Sequence, residues 1–255
     1  MLLAIDIGNT HTVFGLHREG KWVEIWRKHT NQLETEDELA AWFLQLSRER
    51  SVEGLPRACI CASVVPAATQ ATELLAKKWF QCPIRFLESG ESVGLPIQYY
   101  PPESVGADRI ANALGAIEKY TLPAVIVDFG TATTFDVISG DGVYLGGAIF
   151  PGVEVSMEAL SSRAAKLPQF SLKTPKVAIG KTTRESLQSG HVFGYVGAIH
   201  EILERISDEL GTRPTIVGTG GLATMFGELS DAIEIIDPTL TLDGLVIAAH
   251  RLGIA

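Results

Sequence analysis

The stretch AIDIGNTHTVFGLHREGKW, residues 4–22, is repeated in altered form as IVDFGTATTFDVISGDGVY at residues 126–144. The two segments align without gaps when position 4 is placed on position 126, an offset close to half of the 255-residue chain. Such self-similarity at a fixed offset indicates an internal duplication. In both copies an apolar run leads into an aspartate and a glycine separated by one residue. In this alignment Asp6 matches Asp128, Gly8 matches Gly130, and Thr12 matches Thr134.

Each copy predicts a buried strand, a turn and a returning second strand, with first strands at residues 2–5 and 124–127. Strands and helices then alternate along the chain, which is typical of α/β proteins. We therefore expect two α/β halves, residues 1–118 and 119–255, that face each other across a central cleft. Further strands are expected at 58–65 and 214–221, and helices at 35–50, 66–80, 104–120, 182–210 and 242–252.

Local signals fix the ends of several of these helices. Thr35 and Glu38 have the spacing of a capping box, and so do Thr182 and Glu185. Gly211 is a suitable stop for the long helix that begins near Thr182. The helix boundaries are therefore predicted from side-chain chemistry as well as from periodicity.

The overall composition limits the class of protein. The 46% hydrophobic and 20% charged residues fit a compact globular protein. A net charge of −9 argues against nucleic acid or an anionic membrane as the main partner. Apolar runs are too short to span a bilayer, and the three cysteines fit reduced thiols in a cytoplasmic protein. We therefore expect a cytoplasmic protein that binds neither nucleic acid nor a membrane.

The paired aspartate–glycine motifs suggest phosphate chemistry. Gly8 and Gly130 allow close approach of a ligand to the backbone. Backbone N–H groups and neighbouring hydroxyls in such turns suit phosphate oxygens. Asp6 and Asp128 would meet the cations that accompany phosphates, because hard cations prefer carboxylate oxygen. One such motif alone is more typical of a polar strand end, whereas the duplicated pair favours a nucleotide triphosphate held from both halves.

A third glycine-rich segment, IVGTGGLA at residues 216–223, matches a dinucleotide-binding pattern only weakly. Too little chain follows it to complete a Rossmann domain. A nucleoside resting on this turn is the better interpretation.

Taken together, the motifs resemble those of the ASKHA superfamily, the ribonuclease H-like sugar kinases, actin and Hsp70 chaperones. Within that superfamily the chain is similar to the type III pantothenate kinase family over its whole length. The segments that carry the resemblance occur in the order and at the spacing of that family. They are DIGNT at 6–10, GADR at 106–109, DFGTATT at 128–134, GGAIFPG at 146–152 and TGG at 219–221.

The resemblance implies transfer of the γ-phosphoryl group of ATP to the hydroxyl of pantothenate, the first step towards coenzyme A. It implies Mg²⁺ with ATP, held by Asp6 directly or through water, and K⁺ or NH₄⁺ held by Asp128. The implied ATP-binding residues are Asp6, Ile7, Gly8, Asn9, Thr10, His11, Thr12, Val13 and Thr131.

The resemblance also implies a pantothenate site and a homodimer with substrate sites near its interface. Asp108 would be the general base. Thr182 stands where the family more often has asparagine, which weakens the assignment of its neighbour Thr183. The implied pantothenate-binding residues are Tyr99, Gly106, Ala107, Asp108, Arg109 and Thr183.

Two of these residues allow a structural interpretation as well. Asp108 falls in the first turn of a predicted helix, where a carboxylate is stabilised by the helix dipole whether or not it is catalytic. A carboxylate can also orient a hydroxyl and accept its proton. Arg109 could pair with a substrate carboxylate in forked geometry or with a neighbouring acidic side chain. The family resemblance favours the functional interpretation of both.

Two alternative functions remain open at this point. The first is a non-catalytic accessory or regulatory relative of the family, although the acidic charge and the intact Asp6, Asp108 and Asp128 speak against it. The second is an ASKHA kinase or hydrolase for another small hydroxylated substrate. The GADR segment and Tyr99 speak against that alternative.

Overall fold

The computed structural model describes residues 1–164, 167–168 and 170–254. Its first sheet has five strands in the order β3-β2-β1-β4-β5. The pairs β1–β2 and β2–β3 are antiparallel, whereas β4 runs parallel to both β1 and β5. The strands are β1 (Leu2–Ile7), β2 (His11–Arg18), β3 (Lys21–His29), β4 (Ala58–Ser63) and β5 (Ile84–Phe86).

The second sheet repeats this arrangement in the order β10-β9-β6-β7-β8. Its central strand β6 again pairs antiparallel with the next strand of the chain and parallel with a strand that follows a helix. Read from β8, the order is the same as that of the first sheet, so the predicted duplication is confirmed. The strands are β6 (Ala124–Phe129), β7 (Ala132–Ile138), β8 (Tyr144–Pro151), β9 (Thr215–Gly220) and β10 (Ile235–Ile236).

The two copies differ by one residue in the turn after their first strand. Ile7 pairs with Thr12 across the first turn, whereas Phe129 pairs with Thr133 across the second. The counterpart of Thr12 is therefore Thr133, and its predicted match with Thr134 was wrong. Thr12 and Thr133 are both buried, which fits their equivalence. The gap-free alignment missed the difference because threonine occupies both neighbouring positions.

Helices connect the strands largely as the sequence predicts. The capping boxes at Thr35 and Thr182 are both present, and Gly211 ends the longest helix with φ 65°. The third helix begins at Ala107 rather than at the predicted Ser104, because residues 102–104 form a short 3₁₀ turn. The helices are α1 (Glu36–Glu49), α2 (Pro66–Leu75), α3 (Ala107–Lys119), α4 (Val153–Arg163), α5 (Thr183–Leu210), α6 (Ala223–Leu229) and α7 (Leu240–Arg251).

Among the helices that the structure describes, none combines the length and the apolar character that crossing a membrane requires. A π-helical turn, Ala76–Phe80, continues α2.

The chain divides into two units, each built on one sheet. The first unit contains Met1–Tyr120, Gly142–Leu145 and Thr239–Ala255, and the second contains Thr121–Asp141 and Gly146–Pro238. This division differs from the expected halves, 1–118 and 119–255, mainly at the end of the chain. The last helix, α7, packs on α3 of the first unit.

Glycines explain how α7 lies so close to α3. A Cβ atom at Gly244 would lie 1.8 Å from the carbonyl oxygen of Ala111, and one at Gly115 would lie 2.7 Å from that of Leu240. Neither helix could keep this separation with a larger residue at these positions. The close contact holds the end of the chain against the helix that begins with the GADR segment.

We expect Gly244→Ala to destabilise the protein by roughly 2–3 kcal/mol, because the new methyl group overlaps a backbone carbonyl. In an unpacked helix the same change would stabilise by about 1 kcal/mol. Urea unfolding measures the sign. Gly140→Ala is the control, since a Cβ atom there meets nothing within 4 Å. Unchanged or increased stability of Gly244→Ala would contradict the packing described here.

Candidate functional site

The turn after β1 carries the segment expected to bind ATP phosphates. The Gly8 N–H donates to the carbonyl of His11 at 3.0 Å, which closes the turn. Thr30, just beyond β3, donates its hydroxyl to the Gly8 carbonyl at 2.6 Å and lies 2.9 Å from the Thr12 hydroxyl. Thr30 therefore ties the turn to the neighbouring strand. Sequence reasoning missed Thr30, because no pattern marks a partner so far along the chain from Gly8.

A basic side chain lies beside the same turn. Arg27 donates to Nδ1 of His11 at 2.8 Å, so this ring nitrogen is the acceptor. The ring of His29 lies 4.7 Å from that of His11. Arg27 was not predicted as a site residue. It lies on β3, where it pairs with Val13 of β2. In an acidic protein it provides a cation next to the expected phosphate turn.

Asp6 is partly buried near the end of β1, opposite Val13 of β2 and Ala62 of β4. Its negative charge reaches the neighbouring strand. Burial first, and the Asp6 carboxylate second, raise the pKa of the Cys61 thiol. The Cys61 thiol therefore stays protonated and acts as a core residue beside the site.

The second unit places Asp128 and Thr131 at the corresponding turn. The Gly130 N–H donates to the carbonyl of Ala132 at 3.1 Å, and Thr131 is exposed. Gly220, with φ +89°, lies so close that a Cβ atom would be 2.5 Å from Oδ1 of Asp128. Only glycine fits there, so the TGG segment brings bare backbone against the Asp128 carboxylate.

The GADR segment forms the N-terminus of α3 in the first unit. Gly106 is the N-cap residue, and Ala107 begins the helix and is buried. Oδ1 of Asp108 accepts the N–H of Arg109 at 2.9 Å. It lies 2.5 Å from where a Cβ atom of Gly106 would be, so a side chain at Gly106 would displace the carboxyl group. Gly106 therefore allows the carboxyl group of Asp108 to turn back over the start of the helix.

The Arg109 guanidinium lies beside two tyrosine rings. It is 6.0 Å from the ring of Tyr99 and 5.6 Å from the ring of Tyr144, and Arg109 is only 8% exposed. Cation–π attraction stabilises this arrangement. The structure thus brings together Tyr99, Asp108 and Arg109, three of the residues expected to bind pantothenate.

Tyr144 is a further residue of this cluster that sequence reasoning did not assign. Its side chain is fully buried, and its backbone N–H and C=O bond to Pro96 and Gln98 at 2.9 and 2.8 Å. These bonds hold the segment that leads to Tyr99. In the sequence, Tyr144 is the last residue of the second copy of the duplicated stretch, and this position does not indicate a role in the site.

Thr183, one of the expected substrate residues, lies in the second unit as the exposed first residue of α5. Thr182 is the N-cap, and its side chain accepts the N–H of Glu185. Threonine and asparagine both serve this capping role. The departure from the family pattern at Thr182 therefore leaves the start of the helix intact.

Within the part of the chain that the structure describes, no group of three or more His, Cys, Asp or Glu side chains could hold a metal ion. Asp128, with the Gly220 backbone against it, offers hard oxygen suited to a monovalent cation.

Solved structures with a similar fold come from several functional classes. The chain superposes on a conserved putative Baf family transcriptional activator from Campylobacter jejuni with a TM-score of 0.61 and 21% identity, covering 99% of this chain and 100% of that one. A putative 2-dehydro-3-deoxygalactonokinase from Sinorhizobium meliloti gives 0.60 at 13% identity, covering 99% and 97%. At these identities the likeness shows the fold alone, a duplicated α/β fold of the predicted class.

Curated proteins found by sequence share a much higher identity with this chain than these solved structures do. A protein from Rhodospirillum rubrum described as a type III pantothenate kinase is 44% identical over 256 residues, covering 98% of each chain. One from Desulfosudis oleivorans with the same description is 45% identical over 250 residues, covering 97% of this chain and 98% of its own. The family model for type III pantothenate kinase matches residues 2–205. On these matches, this chain belongs to the type III pantothenate kinase family.

Proposed function

We infer that this protein transfers the γ-phosphoryl group of ATP to the hydroxyl of pantothenate. The product is 4'-phosphopantothenate, and the reaction is the first step of coenzyme A biosynthesis. One observation carries the inference beyond family membership. A buried arginine, Arg109, lies against Tyr99 beside a carboxylate, Asp108, at the start of α3. This cluster offers a cation for the pantothenate carboxylate and an acceptor for its hydroxyl proton.

The proposed nucleotide site uses the turns that follow β1 and β6. Backbone N–H groups and hydroxyls of residues 6–13 would bind phosphate oxygens, with Thr131 contributing from the second unit. Thr30 and Arg27 support the first turn through Gly8 and His11. Phosphoryl transfer depends mainly on positioning and on neutralising the charge of the triphosphate. A turn held rigidly by neighbouring strands is suited to this task.

Metal ions would supply the remaining positive charge. Mg²⁺ would be held by ATP and by Asp6, directly or through water, and K⁺ or NH₄⁺ by Asp128. When bound, these cations stabilise the charge that develops on the phosphate oxygens. The protein's part is to hold the carboxylates at the strand ends.

The proposed substrate site uses the helix start. Asp108 would orient the primary hydroxyl and accept its proton, and Arg109 would pair with the carboxylate in forked geometry. The backbone of Gly106 and Ala107, with Tyr99 and Thr183, would complete the contacts to pantothenate.

The direct test is ADP release by purified protein with Mg-ATP in K⁺ buffer, with and without pantothenate. We expect release that depends on pantothenate, with phosphopantothenate identified by its mass. Release that does not depend on pantothenate would indicate a kinase or hydrolase for another substrate. No release in either reaction would favour the regulatory alternative.

Activity should depend on a monovalent cation. Replacing K⁺ and NH₄⁺ with Na⁺ is expected to remove most of the ADP release. Asp128→Asn should lower the activity in K⁺ and lose the response to added K⁺, because the carboxylate charge is gone. Full activity in a buffer that contains only Na⁺ would exclude the proposed role of Asp128.

We propose that two copies of the chain form a homodimer through α5. Gly190, Gly194 and Gly197 lie at helical spacing around Phe193, which is 41% exposed. A Cβ atom at any of the three glycines would meet nothing within 4 Å in this chain. Glycine in an exposed helix interior costs about 1 kcal/mol relative to alanine. Close approach of a second helix at this surface is a physical reason to keep glycine there.

Gly194→Leu is therefore expected to raise the dimer dissociation constant at least roughly tenfold, a cost of about 1.4 kcal/mol. Light scattering coupled to gel filtration measures the change in mass. Glu204→Leu, at an exposed position of the same helix, is the control and should remain dimeric. A dimer unchanged by Gly194→Leu would place the interface elsewhere.

A further inference from the structure

Two cysteine sulfurs outside the proposed site lie close together in the first unit. Sγ of Cys59 on β4 is 3.6 Å from Sγ of Cys82, which follows the π-helical turn after α2. Both are free thiols. A disulfide needs a sulfur–sulfur distance of about 2.05 Å, so an approach of roughly 1.5 Å is enough to form one.

The two thiols differ in access to solvent. Cys59 is fully buried in the core, whereas Cys82 is only partly buried. The hydrogen bond between the two thiols lowers the pKa of the Cys82 thiol, and the same hydrogen bond together with burial raises the pKa of the Cys59 thiol. The accessible Cys82 therefore has the larger thiolate fraction of the pair, and the buried Cys59 sulfur lies 3.6 Å from it.

We propose that Cys82 and Cys59 form a reversible oxidation site, in which Cys82 reacts first with a peroxide and Cys59 then closes a disulfide.

The steps balance as follows. The Cys82 thiolate attacks one oxygen of hydrogen peroxide, the O–O bond breaks, and the second oxygen leaves as water after taking a proton. Cys82 is then a sulfenic acid. The Cys59 sulfur attacks the Cys82 sulfur, the S–O bond breaks, and the hydroxyl leaves as water with the thiol proton of Cys59. Two thiols are oxidised and one peroxide is reduced.

Cys61 provides the internal comparison. It lies on the same strand as Cys59, is fully buried, and its thiol hydrogen-bonds to the carbonyl of Ala62. Burial raises the pKa of the Cys61 thiol. It therefore takes no part in the reaction, although it is only two residues from Cys59.

The experiment counts thiols after denaturation of protein that was treated with hydrogen peroxide in its folded state. The three cysteines of the wild type should fall to one thiol, and dithiothreitol should restore all three. Cys61→Ala should still lose two thiols. Cys59→Ala should form no disulfide and should yield a sulfenic acid on Cys82 that a cyclic dione traps. Cys82→Ser should lose no thiol.

Thermal unfolding gives a second readout. The disulfide closes a loop that contains α2 and the π-helical turn, so oxidation should raise the unfolding midpoint of the wild type and leave Cys82→Ser unchanged. Three thiols retained under conditions that oxidise free cysteine completely would overturn the proposal. A peptide that links Cys61 with Cys82 would also overturn it.

Discussion

Asp108→Asn is expected to lower kcat for pantothenate phosphorylation by roughly 10²–10⁴-fold, the usual contribution of a positioned general base. The affinity for ATP should stay unchanged, because Asp108 belongs to the proposed substrate site at the start of α3 and not to the turn after β1. ADP release measures kcat, and calorimetric titration with a non-hydrolysable ATP analogue measures nucleotide binding. The combination separates loss of chemistry from loss of binding.

The asparagine variant is a sharp test because it preserves the local structure. Oδ1 of Asp108 accepts the N–H of Arg109, and the amide oxygen of asparagine can accept the same bond. Glu103→Gln, an exposed change of the same kind just before the helix, is the control and should retain full activity. If ATP affinity fell as much as kcat, Asp108 would be a structural residue of the helix start.

Much of the fold could be predicted because its signals are local or repeated. The duplicated aspartate–glycine motif indicated two copies of one sheet, and the capping residues Thr35 and Thr182 marked helix starts that the structure confirms. The helix α4 was not predicted, since Val153 is its only buried residue and no apolar stripe marks it. An apolar periodicity in the sequence reflects the buried face of a helix. A helix that buries few residues therefore shows no clear periodicity.

The candidate site shows the same limit more strongly. The glycine and carboxylate positions could be named from motifs, because each motif lies within a few residues. Thr30 and Tyr144 could not, because they act through contacts with residues distant along the chain, Gly8 and Arg109. The packing of α7 on α3 could not be predicted either, because it is a tertiary contact between distant parts of the chain. Gly115 and Gly244 are explained by this contact only when both helices are in place.

Arg109→Met is expected to raise KM for pantothenate roughly 10- to 150-fold, since hydrogen bonds to a charged group contribute about 1.5–3 kcal/mol. The Arg109 side chain is buried beside the rings of Tyr99 and Tyr144, which restrict the positions that its guanidinium can take. Steady-state kinetics with varied pantothenate measures the change. Arg109→Lys keeps the charge but not the planar fork, and its KM should lie between those of the wild type and the methionine variant.

A neutral analogue of pantothenate decides whether Arg109 recognises the carboxylate or only packs. In the analogue the carboxylate is replaced by a primary alcohol that carries no charge. If Arg109 pairs with the carboxylate, the wild type binds the analogue weakly. The affinity of Arg109→Met for the analogue is then no lower than that of the wild type. If Arg109 only supports Tyr99 and Tyr144, the substitution weakens pantothenate and the analogue by the same factor. A thermal unfolding midpoint measured for each variant separates that second outcome from a general loss of folding.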